Sequence, residues 1–322
     1  MKKSMIALAV AAATSAPVMV QAAAPEVSGF ADIIFTLVDD TANTPNSTNP
    51  AEGKFTADGE IDFKGNLADD VSVRVDLDVN INADNRDSAD IEQAFFGWKM
   101  NEDITFLGGV FNNPVGWEAE DTPEMYQTSH SMNYNILDGQ TALRGNNIAG
   151  VAVAGTVEKF TFTAAFLNDL QQTNEENSLA LVAAFAPTEE LNLEAGIVTQ
   201  DNDNPVRTAT NPNGGAGTVI DFNATFSKDD ITIAGELLLA SEIIDYSAMA
   251  MINMAIPETA MSATVRGELV SFDADIDDLL ALTFAGLYTV NDALGIVAEL
   301  KYIDGEDIDG DIQVVAEFVA SF

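Results

Sequence analysis

The chain has 322 residues, with 13 Lys and Arg against 52 Asp and Glu, a formal net charge of −39, a single His and no Cys. So acidic a chain repels phosphate backbones, which excludes nucleic acid as a partner. Without Cys there is no disulfide framework, thiolate metal site or Cys nucleophile, and one His cannot build a multi-His zinc site.

Residues 1–22 read as a secretory signal peptide. Lys2 and Lys3 form a positive start, an apolar stretch runs from Met5 to about Ala13, and Val20-Gln21-Ala22 fits a small-x-small cleavage site. Cleavage after Ala22 leaves 11 basic residues against 52 acidic ones, a net charge of −41. No second apolar run near ~20 residues follows, so an inner-membrane helical protein is excluded. Residues 23–322 are expected to form one domain.

From residue 27 onward the pattern has period two. Val71, Val73, Val75, Leu77, Val79 and Ile81 alternate with Ser72, Arg74, Asp76, Asp78, Asn80 and Asn82. Such a strand sets one face in an apolar medium and the other in a polar one. Sixteen segments of this kind follow in order: 27–38, 55–65, 71–82, 92–100, 104–112, 147–156, 159–168, 178–186, 191–200, 218–227, 231–241, 246–256, 261–272, 280–289, 294–302 and 312–322. Most have the roughly 9–11 residues that cross a bilayer as a tilted strand. Fifteen of them offer one face free of Asp, Glu, Lys and Arg, as in Phe160, Phe162, Ala164, Phe166 and in Ile220, Phe222, Ala224, Phe226; in 92–100 Glu92 and Lys99 fall on opposite faces. Charge on a lipid-facing position costs about 2–4 kcal/mol at the midplane, which is a physical reason for so clean a face.

The connections alternate in length. Short joins fall near Asn66–Asp70, Asn101–Asp103, Val157-Glu158, Pro187–Glu190, Lys228–Asp230, Pro257–Ala260 and Val290–Ala293. Longer polar joins lie between them, the longest over 113–146, although the join at 242–245 is short. Short turns opposite long outer loops describe an all-β, transmembrane up-and-down antiparallel β-barrel of sixteen strands with a long third outer loop. Backbone groups in hydrocarbon must all be paired, so the sheet closes. At this strand number the lumen is too wide for side chains to fill and becomes an aqueous channel.

The polar faces carry Asp32, Asp58, Glu60, Asp62, Asp76, Asp78, Glu194, Asp221, Glu236, Glu268, Glu299 and Glu317, against the bases Lys64, Arg74, Lys99, Arg266 and Lys301. Fixed acidic charge behind a low-dielectric wall favours cations in the water column. In the 113–146 join, Glu118, Glu120, Asp121 and Glu124 are the carboxylates expected at a constriction if it folds inward, with Arg74 as the basic partner across the lumen.

The run Phe106-Leu107-Gly108-Gly109-Val110-Phe111-Asn112-Asn113-Pro114-Val115-Gly116-Trp117-Glu118 resembles a segment of Gram-negative β-barrel porins, and a final strand ending in Phe322 resembles their assembly signal. The local likeness covers about 91–168; the rest is likeness of architecture. It implies the bacterial outer membrane, an inward-folding third loop, lipid and lipopolysaccharide around the barrel, small hydrophilic solutes within it, and a homotrimer. The chain lacks the Pro-Glu-Phe-Gly-Gly loop motif of enterobacterial porins and carries few Arg for a basic wall cluster.

Other motifs carry less. His130 between Ser129 and Ser131 has no Gly-x-Ser-x-Gly elbow near it, so no catalytic residue is expected. The Asp304–Asp311 stretch fails as an EF-hand, having Gly305 and Ala316 where ligands would be needed; Asp307, Asp309 and Asp311 are only weak divalent candidates. No cofactor is expected. The reading is a passive porin for small hydrophilic solutes and ions with a cation preference. Its rivals are a substrate-specific channel and a non-transport barrel such as an adhesin or scaffold.

Overall fold

A computed structural model describes residues 25–39, 52–81, 88–143, 145–171, 176–200, 217–242, 244–272, 278–305 and 308–322. The expected signal peptide lies outside them.

The strands that run toward the long loops are β1 (Glu26–Asp39), β3 (Val71–Ile81), β5 (Ile104–Asn112), β7 (Phe160–Asn168), β9 (Leu191–Val198), β11 (Ile231–Ala240), β13 (Met261–Phe272) and β15 (Leu294–Gly305). Those that return are β2 (Glu52–Ala68), β4 (Ser88–Lys99), β6 (Asn147–Val157), β8 (Asn177–Phe185), β10 (Val219–Lys228), β12 (Ile244–Ala255), β14 (Leu279–Asn291) and β16 (Ile308–Ser321). Each pairs with its sequence neighbours, and β1 pairs antiparallel with β16, so the sheet is one closed barrel. The closure runs from Phe30 opposite Ser321 to Asp39 opposite Ile312, and the Gly29 and Phe322 backbones exchange hydrogen bonds of 3.2 and 3.0 Å. Every sequence-expected segment is a strand, with ends displaced by a few residues.

The outward face is the apolar one. Phe160, Phe166, Phe222, Ile233, Phe284 and Phe318 are all exposed there. Their neighbours in sequence point inward, so Asp221 and Glu317 are fully buried beside exposed Phe222 and Phe318. At the short-turn end, Glu158 and Asp229 adopt positive φ of 56° and 52°, the left-handed conformation that tight hairpins use. In β4 the alternation breaks: Asp76 lies opposite Gln93 and Leu77 opposite Ile91, leaving Glu92 as the extra residue of a bulge.

The join after β5 does not extend away from the barrel. It turns inward through a 3-10 turn, Thr122–Glu124, and a helix, α1 (Met132–Gln140). Ser131 caps α1, its side chain accepting the Tyr134 N–H at 3.0 Å. Met132, Ile136 and Leu137 of α1, with Val115, join one apolar cluster with inward residues such as Ile148, Leu167, Val198, Leu238 and Val270. These wall residues sit near the long-loop ends of their strands. The inner wall is thus apolar near the long-loop ends, where α1 packs, and acidic below, where the rest of the loop meets it.

Candidate functional site

Backbone N–H groups of the loop are held by carboxylates of the wall. Trp117 N–H donates to Glu236 Oε1 at 2.8 Å, Ser129 N–H to Glu299 Oε2 at 3.0 Å, and Met132 N–H to Glu268 Oε1 at 2.6 Å. Side chains add to this. Asn133 Nδ2 donates to Glu236 Oε2 at 3.0 Å, Thr128 Oγ1 to Glu317 Oε2 at 2.7 Å, and Trp117 Nε1 to Thr225 Oγ1 at 2.8 Å. A loop whose own carbonyls and amides cannot all reach water needs such partners.

Arg266 on β13 is the centre of the anchor. It is fully buried, and its guanidinium bonds Glu268 Oε2 at 2.9 Å, Glu118 Oε1 at 3.1 Å, and the backbone oxygens of Ser129 and His130 at 3.0 Å each. Glu118 Oε1 also accepts a hydrogen bond from Gln127 Nε2 at 3.1 Å, and its Oε2 accepts one from the Ser131 N–H at 2.5 Å. Burial alone would raise the Glu118 pKa. The His130 ring, with Nδ1 3.7 Å from Glu118 Oε2, and the charge of Arg266 outweigh it and hold the group at about 2. His130 stacks on Tyr134 with ring centroids 3.9 Å apart.

Glu120 has the opposite environment. Burial, and then the negative charge of Glu92, push it up to about 9 against the help of a Tyr134 hydrogen bond. Burial and the Glu120 charge likewise raise Tyr134. Gly145, at φ +72°, is packed against this carboxylate so closely that a Cβ would lie 2.4 Å from both of its oxygens.

The opposite wall, β1 to β4, carries a second acidic group. Arg74 Nη2 lies 3.0 Å from Asp62 Oδ1 and 3.8 Å from Glu60 Oε1, and its Nε lies 2.5 Å from Asp76 Oδ2. Arg74 is therefore tied to acids of its own wall, and its reach to the loop carboxylate Asp121 is through electrostatic attraction. Asp58, Asp62 and Asp78 keep partial exposure on the inner face. Thr122 Oγ1 touches Asp32 Oδ2 at 3.5 Å, and Asn147 Nδ2 donates to Glu92 Oε1 at 3.0 Å.

The four loop carboxylates thus part company. Glu118 is locked in the Arg266 anchor, Glu120 is half-buried, Asp121 faces the β2–β4 acids, and Glu124 is exposed on the 3-10 turn. On the wall, Glu194 and Asp221 share Asn223, at 3.2 and 2.8 Å. Of the weak divalent candidates, Asp307 lies outside the described residues, as does the Asp309 side chain, and Asp311 pairs with Ile303 on β15. Two residues outgrow their sequence reading. Arg266, expected only as a lumen base, is the loop anchor, and a fully buried Arg among acids explains why. Glu92 was not expected on the inner face, because the bulge hides it from strict alternation.

A family model described as Gram-negative porin matches residues 7–308. The chain belongs to the Gram-negative porin family. Solved porins share the barrel at low identity: the anion-selective porin from Comamonas acidovorans has a TM-score of 0.68 at 11% identity, over 94% of this chain and 100% of its own. A Salmonella typhi OmpF complex with daunomycin gives 0.67 at 12%, over 93% and 98%, and a Rh. blastica porin mutant gives 0.64 at 13%, over 92% and 100%. A search of curated proteins finds no match. The porin is therefore an outer-membrane channel protein, and its family and fold are those of channels rather than enzymes.

Proposed function

We propose that this porin is a passive channel for small hydrophilic solutes and ions, that its third loop narrows the lumen, and that it prefers cations. One observation carries the reading. The loop takes most of its hydrogen bonds from β10 to β16, and on β2 and β3, beside the point where Asp121 meets Glu60, the acids Asp58, Asp62 and Asp78 remain partly exposed. Arg74 on that wall is already shared among three acids, which leaves negative charge in excess. A fixed field of one sign in a narrow, low-dielectric passage enriches the opposite ion. Asp121 and Glu120 belong to the constriction in this reading, and Glu118 holds it in shape.

The zero-current potential of single channels across a KCl gradient tests this. Cation preference is expected, reduced when Asp58, Asp62 and Asp78 are changed together to Asn; a clear anion preference refutes the selectivity. The same reading takes the protein as a homotrimer bounded by lipid and lipopolysaccharide, which native mass spectrometry from detergent tests as a mass of three chains.

A further inference from the structure

Where the loop meets the β2–β4 wall, one carboxylate oxygen each from Glu60, Glu92 and Asp121 lies within 4.8 Å of the other two. The three come from β2, β4 and the loop, so the fold and not local sequence brings them together. We propose that they bind a hard divalent cation, which ties the loop to this wall.

Three facts distinguish the group from an ordinary acidic patch. Glu60 is only 4% exposed, and its Oε1 has no hydrogen-bond partner. An unpartnered buried carboxylate oxygen is costly unless a cation meets it or a proton neutralises it. The described base near it, Arg74, stands 3.8 Å away and is committed at shorter range to Asp76 and Asp62. Asp121 stands at the N-cap of the 3-10 turn, yet its side chain makes no cap hydrogen bond and instead meets Glu60 of the wall. Glu92 is fixed by Asn147, whose Nδ2 donates to Glu92 Oε1 at 3.0 Å.

Glu60, Asp62 and Asp76 form a second such group, but Arg74 already supplies the cation there. All-oxygen carboxylate ligands suit a hard divalent ion rather than a soft one.

The full chain, folded in detergent and stripped with EDTA, is titrated with calcium chloride by calorimetry and followed by thermal unfolding. One site per barrel and a rise in Tm are expected. Glu60→Gln, Glu92→Gln and Asp121→Asn should each weaken that binding by about tenfold or more, while the exposed turn pair Asp229→Asn and Asp230→Asn should not. Because each site variant also removes repulsion, it should keep the loop resistant to protease in EDTA, which separates loss of the ion from loss of the fold. Absence of binding to the folded protein overturns the proposal. So does binding that survives all three site variants, or that falls only with the exposed pair. The titration needs the inward loop but no transport, so a silent or anion-preferring channel would defeat the proposed function without touching this result.

Discussion

Replacing Arg266 by Met tests whether the loop is held in the barrel by one buried guanidinium. The change keeps much of the side-chain length and removes five hydrogen bonds, to Glu268, Glu118, Ser129 Oγ, and the Ser129 and His130 carbonyls. Two buried carboxylates lose their counter-charge. Breaking a buried pair by deleting one partner costs about 3–5 kcal/mol, much of it the charge left behind. At about 1.4 kcal/mol per tenfold, the ratio of docked to undocked loop falls by roughly two to three and a half powers of ten. The barrel should survive, because its strands are paired along their whole length independently of the loop. Hydrogen exchange reads the effect at the Trp117, Ser129, Ser131 and Met132 amides, whose acceptors are Glu236, Glu299, Glu118 and Glu268. Their protection should drop while that of the strands holds, and single-channel conductance should rise and become noisier. Adding Glu118→Gln to Arg266→Met should restore part of the protection by removing one orphaned charge. Unchanged protection at these amides in a folded R266M barrel refutes the anchor, and failure of the second change to help refutes the account of its cost.

Further outcomes follow from the same geometry. Glu120 is held near about 9, so the docked loop keeps its proton after an undocked carboxyl has lost it; docking is strongest below about 4.5 and weakens as pH rises toward 9. Protease sensitivity of the loop should therefore increase over that window, and Glu120→Gln should flatten it. Glu118 has the opposite sign: depressed to about 2, it supports docking above about 4.5 and loses that support as pH falls toward 2. Trp117 is buried and stacked on Tyr126, whereas Trp98 lies exposed on the outer face, so in Trp98→Phe protein the remaining fluorescence should resist acrylamide until the loop undocks. Phe222→Arg on the outer face should lower barrel stability in lipid by about 2–4 kcal/mol in urea titration, while Asp221→Asn beside it should cost far less.

The barrel is legible in the sequence because the bilayer imposes one rule on every strand. A charge-free outward face marks Phe222 and Phe318 as outer, and alternation then makes Asp221 and Glu317 inner. The rule fails only where the backbone departs from strict alternation, as at Glu92, which a bulge turns inward. The site is less legible, because nothing local distinguishes Glu118 from Glu120. Their different fates depend on Arg266, 148 residues beyond Glu118 in one case, and on Tyr134 and Glu92 in the other. Only the folded loop assigns one carboxylate to a salt bridge and the other to a buried acid pair.

The wall acids also cease to be equivalent once the loop is in place. On the sequence, each inward Asp or Glu adds equally to a field that attracts cations. In the fold, Glu236, Glu268 and Glu299 accept loop amides, and Glu317 accepts the Thr128 hydroxyl. An amide dipole aimed at a carboxylate offsets part of its charge, and burial behind the loop separates it from the water column. Asp58, Asp62 and Asp78 are on the side the loop leaves more open. A count of acids therefore overstates the field, and position decides it. Glu299→Gln should alter loop protection at Ser129 and change the zero-current potential little, while Asp58→Asn should do the reverse. Equal shifts of the potential from the two substitutions would show that all inner carboxylates act alike, and the division between holding the loop and setting the field would have to be abandoned.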